Sequence, residues 1–94
     1  MNLSKHEVAF IRAANLYTYK FSFRDYRDMH PRKREDGAIT YRVPMWEDSD
    51  RLFTYSGDRK DGAPGLVTWA NDARDRRSGS VYTLAAFIKE VKAS

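Results

Sequence analysis

The chain has 94 residues, 41% hydrophobic and 32% charged, with 17 Lys and Arg against 13 Asp and Glu for a net charge of +4. That length predicts a single domain, residues 1–94, with one modest core, and its apolar content excludes a disordered chain. Without cysteine there is no disulfide framework, thiolate nucleophile or Cys-based zinc site. The composition fits a cytoplasmic protein.

Residues 1–7, MNLSKHE, hold no long apolar run, so neither a signal peptide nor a membrane span is predicted. Within them, Ser4 and Glu7 have the spacing of a capping box, in which serine accepts from a backbone N–H three residues on and glutamate reaches back. Val8, Phe10, Ile11, Ala13 and Ala14 follow, and the spacing predicts a helix over about Lys5–Asn15. The period then drops to two. Rings at Tyr17, Tyr19, Phe21 and Phe23 alternate with Thr18, Lys20, Ser22 and Arg24, which reads as a half-buried strand over Tyr17–Arg24. Its aromatic face is either core or a platform on which bases stack; core is favoured, because large rings are buried on average.

Residues 25–38, DYRDMHPRKREDGA, break the pattern with Pro31 and an Asp36-Gly37 turn signal, and predict a polar loop. Ile39, Tyr41, Val43 and Met45 then share one face of a second strand. Pro44 cannot donate to a ladder, so it marks an edge or the strand's end. RLFTYS, residues 51–56, is a third strand, and GDRKDGAPG, residues 57–65, a mobile loop. LVTWANDARDRR, residues 66–77, reads as a helix with Leu66, Trp69, Ala70 and Ala73 inward; the alternative is a short fourth strand at GLVTW. Ser80 is expected to cap a last helix whose stripe is Leu84, Phe87, Ile88 and Val91. The expected fold is α+β: an N-terminal helix, a three-stranded antiparallel β-meander, and one or two C-terminal helices on one face of the sheet.

Catalytic signatures are absent. The two histidines, His6 and His30, have no metal-ligand spacing, GAPG lacks the Lys-Ser/Thr of a nucleotide loop, and no G-x-S-x-G elbow occurs. No cofactor, metal or membrane is expected as a partner. Arginine and aromatic residues outside the expected core are the types enriched at binding hot spots. They nominate Arg24, Tyr26, Arg27, Arg32, Lys33, Arg34, Trp46, Tyr55, Arg74 and Arg77 as partner-binding residues, with Tyr82 beside them. The expected role is non-catalytic docking on a host protein or nucleoprotein complex. Two alternatives stay open: direct RNA or DNA binding through the modest basic patch at Arg24–Arg34, and a small metal-free ribonuclease using His30, Arg32, Lys33, Glu35 and a tyrosine.

In size, lack of cysteine, abundant aromatics and absence of a catalytic signature, the chain is similar to small accessory proteins of phages and mobile elements. Anti-CRISPR and other host-takeover inhibitors are among them. The similarity is one of style across the whole chain and implies an inhibitor or accessory factor.

Overall fold

The capping box forms as its spacing demands. Ser4 Oγ accepts from the Glu7 amide at 3.2 Å, and Glu7 Oε1 accepts from the Ser4 amide at 2.9 Å. It starts helix α1 (Lys5–Phe21), the first element in a computed structural model that describes residues 2–21, 31–45, 50–75 and 79–94. After α1 come strands β1 (Arg32–Lys33), β2 (Ile39–Pro44), β3 (Asp50–Tyr55), β4 (Leu66–Ala70) and β5 (Ser80–Thr83), then helix α2 (Leu84–Ala93). The class is α+β, with five strands among the described residues rather than the expected three.

The first correction falls on the aromatic row. Helix α1 does not stop at Asn15 but continues to Phe21, so the rings at Tyr17, Tyr19 and Phe21 belong to a helix and not to a strand. Phe10, Ala13, Ala14, Tyr17 and Phe21 form one continuous stripe at spacings of three and four. Tyr17 is buried, whereas Tyr19, two residues on, is 73% exposed. The row is therefore split across two sides of a helix and cannot form a stacking face. Residues 22–24 of the expected strand lie outside the described residues.

The five strands form an antiparallel meander in the order β1-β2-β3-β4-β5. Its register places Tyr41 opposite Phe53 and Phe53 opposite Trp69, and Val67 opposite Tyr82. Because side chains alternate along a strand, all the aromatic residues of the described strands point to the same face. That face is covered by the helices. Phe10 stacks on Tyr55 at 5.6 Å between ring centres, Tyr17 meets Phe53 and Trp69 edge-on at 5.1 Å each, and Phe87 meets Phe53 at 5.1 Å. Pro44 ends β2, as its missing N–H requires.

Two further expectations are corrected beyond β3. Residues 66–70 form β4 and not the start of a helix, with Val67 buried under the helices and Ala70 packed with Leu52 and Ala73 on the opposite face. Pairing with β3 on one side and β5 on the other holds these residues extended, so that alternate side chains reach the two faces. Ser80 lies in β5; the cap of α2 is Thr83, whose hydroxyl accepts from the Ala86 amide at 3.2 Å. The α2 stripe is as expected, with Leu84, Phe87 and Val91 buried and Ile88 half-buried.

The loop from Gly57 to Gly65 has backbone hydrogen bonds of its own. The Arg59 amide donates to the Ala63 carbonyl at 2.8 Å and the Gly62 amide to the Arg59 carbonyl at 2.9 Å. Its ends close so tightly that a Cβ on Gly65 would stand 2.1 Å from the Gly57 carbonyl oxygen.

Candidate functional site

The basic run Arg32-Lys33-Arg34 does not form one patch. Alternation along β1 sends Lys33 toward the helices, where its ammonium lies 3.0 Å from the Glu7 carboxylate. Arg32 takes the outer face with Thr40, its register partner. Arg34 pairs with Asp36 at 2.9 Å in the following turn. The Arg74 guanidinium donates to the Asp72 carboxylate at 3.1 and 3.2 Å, and the Arg74 amide donates to it at 2.9 Å. Tyr55 is fully buried, not displayed at the surface, and Tyr82 is half-buried beside Trp69. Arg24, Tyr26, Arg27, Trp46 and Arg77, with His30, lie outside the described residues.

Glu7, Lys33, Tyr55 and Asp58 gather at the N-terminal end of α1. Tyr55 donates its phenolic hydrogen to Asp58 at 2.7 Å and accepts from the Gly65 amide at 2.9 Å. Burial, and then the bond to Asp58, pushes its pKa up to about 12. Glu7 is held below the ordinary carboxyl value, first by the Ser4 amide; partial desolvation opposes this, and the Lys33 ammonium adds to it. Asp58 is pushed up by desolvation, but hydrogen bonds from Ser4 and Tyr55 outweigh that and leave it lowered. Each of these groups is used to fasten the helix start to β1 and to the Gly57–Gly65 loop. Among the described residues no buried polar side-chain atom lacks a partner. The cluster is a joint.

A different surface has the form of a site. Ala9, Arg12, Ala13 and Leu16 of α1 face Ile88 and Lys92 of α2 across a groove with a volume of about 310 Å³. The helices run in the same direction, with Phe10 beside Phe87 at 5.7 Å and Lys20 donating to the Val91, Lys92 and Ser94 carbonyls at 3.1–3.3 Å. The groove's existence follows from side-chain size: two alanines opposite one isoleucine leave space that larger residues would fill. Its floor is apolar and its rim carries two exposed cations, Arg12 and Lys92. By its spacing Tyr19 continues the α1 stripe Ala9-Arg12-Leu16, beyond the residues that line the groove. None of the groove residues was among those nominated from sequence. The signal that could have found them is the 9-12-16-19 stripe, invisible once the helix is cut at Asn15.

The opposite face of the sheet carries Thr40, Thr54, Thr68, Leu66 and Val81 across its strands, the last two 51% and 63% exposed. The described strands offer no ring there on which a base could stack. Among the described residues, no helix is long and apolar enough to cross a membrane, and no cluster of acidic, His or Cys residues is placed to hold a metal ion. Comparison with protein-family models, curated proteins and solved structures finds no match.

Proposed function

We propose that the protein is a non-catalytic binding protein that docks through the α1–α2 groove on a protein or nucleoprotein partner and acts by occlusion, as an inhibitor or accessory factor. One observation carries this reading. The groove leaves apolar surface of Leu16 and Ile88 open between two helices that already share a well-packed core, so its shape serves nothing in folding. The arginine at its margin, Arg12, is a residue type that concentrates binding energy. The nucleic-acid alternative is weakened by the pairing of Lys33 and Arg34 with carboxylates, which leaves Arg32 as the described member of that run facing outward.

The test is site-specific photo-crosslinking. A photoreactive residue at Arg12 is expected to capture a discrete partner, whereas one at Thr54, on the opposite face, captures none. With that partner purified, Ile88→Glu should weaken its binding at least about tenfold while lowering the melting temperature only in part, since Ile88 is half-buried against the core, and the binding is read well below that temperature. Equal capture from both faces, or an Ile88→Glu variant that binds normally, would refute docking through the groove.

A further inference from the structure

We infer that the occupant of the α1–α2 groove is an acidic amphipathic helix of the partner protein. The inference deepens the docking reading above and rests on it. The groove is linear because its walls are two helices running side by side. From Ala9 to Leu16 the α1 wall rises about 10 Å, close to two helical turns. Its floor of Ala9, Ala13, Leu16 and Ile88 suits apolar side chains recurring at i, i+3 or i+4, and i+7, the pattern by which helices enter grooves.

Charge selects the sign of the guest. A helix turns about 100° per residue, so Lys5, Arg12, Lys89 and Lys92 fall toward the groove or its flanks. The two carboxylates of the helices fall away from it: Glu7 is buried against Lys33 on the other side of α1, and Glu90 stands on the far flank of α2 from Lys92. A guest with glutamates beside its apolar stripe would place them against Arg12 and Lys92, and a basic guest would be repelled. Other occupants fit less well. A strand needs an unpaired backbone edge, which helices do not offer. Phosphates need cations along the whole path, and this floor is apolar. A small amphiphile prefers a site that encloses most of its surface, and the groove is about half open to solvent.

The experiment uses two fluorescent helical peptides of about 14 residues, each with leucines at i, i+3, i+4 and i+7. One carries glutamates on the flanks and the other lysines. Anisotropy is read at low salt, and amide NMR shifts locate the bound peptide. The glutamate peptide is expected to bind at least about tenfold more tightly than its lysine twin, shifting Ala9, Ala13, Leu16 and Ile88. The doubly reversed variant, Arg12→Glu with Lys92→Glu, should invert that preference while keeping the wild-type melting temperature, both residues being exposed. Absence of an acidic preference, shifts confined to another surface, or displacement of all binding by a simple fatty acid would overturn the inference. If the peptides fail while crosslinking from Arg12 still captures a partner, the helical occupant is wrong and docking stands. If both fail, docking falls with it.

Discussion

The Lys33 ammonium lies 3.0 Å from the Glu7 carboxylate and joins strand β1 to the first turn of α1. Glu7 is nearly buried there, so removing the cation leaves a carboxylate short of a partner. Lys33→Ala should cost ~1–3 kcal/mol, the range for a buried group stripped of a hydrogen-bond partner. Arg32→Ala, one residue away on the exposed side, should stay within ~0.5 kcal/mol. Urea titrations of the two variants check the contrast; equal losses would dissolve the pairing.

Glu7 also sets an acid dependence. Its folded pKa lies below the ordinary 4.5, chiefly because the Ser4 amide donates to it. The unfolded chain therefore binds this proton more tightly. The stabilisation is complete above the ordinary value and is lost as pH falls through the lowered one. Melting temperature should drop on acidification from about pH 6 to about pH 3, and less steeply in Glu7→Gln. Parallel curves for the two proteins would exclude Glu7 as a source of the slope.

Tyr17 and Tyr19 separate the helix from the strand. On a strand both would share one face; on α1 they part. Tyr17→Ala should cost ~3–5 kcal/mol, as for other large buried aromatics, and Tyr19→Ala should change stability by no more than ~0.5 kcal/mol. Phe21→Ala should fall between them, since Phe21 is half-buried. Similar losses at 17 and 19 would restore the strand.

Gly65 faces the Gly57 carbonyl with no room for a methyl group. Gly65→Ala must push that backbone aside and should cost ~1–3 kcal/mol or more, as overpacking does. A wild-type denaturation midpoint would mean that the loop closes less tightly.

Tyr55 gives an optical signature. Its hydroxyl is buried and hydrogen-bonded to Asp58, with its pKa pushed up to about 12. Because the folded value lies above the unfolded one, its contribution to stability persists below pH 10 and is lost as pH rises toward 12. Burial also raises the Tyr41 hydroxyl, so in an ultraviolet titration the phenolates that appear late should be fewer by one in Tyr55→Phe. A Tyr55 that ionises with the exposed tyrosines would place its ring in water.

Local chemistry made several elements readable from sequence. The capping box at Ser4 and Glu7 and the α2 stripe through Leu84, Phe87 and Val91 are short-range patterns, and the alternation of Ile39, Tyr41 and Val43 needs no distant partner. The aromatic row was misleading because Tyr17 and Phe21 satisfy two periods at once, being four apart and also even-spaced. What decides between them is Phe53 and Trp69, dozens of residues away, closing over Tyr17. β4 was ambiguous because Trp69, Ala70 and Ala73 keep helical spacing, whereas pairing with β3 and β5 fixes Trp69 and Ala70 in a sheet. The groove was illegible for a simpler reason. Arg12 and Lys92 are ordinary surface cations until packing sets their helices side by side.

The contact between Phe10 and Phe87 joins positions 77 residues apart in the chain. During synthesis the apolar stripe of α1 emerges well before the helix that completes its cover, a delay of roughly 4–15 s at typical elongation rates. A nascent chain in that interval presents Phe10 and Tyr17 beside a partly made sheet, and is most exposed to misassociation there. Slowing the ribosome anywhere between β2 and α2 should therefore lower the folded yield without altering the finished protein.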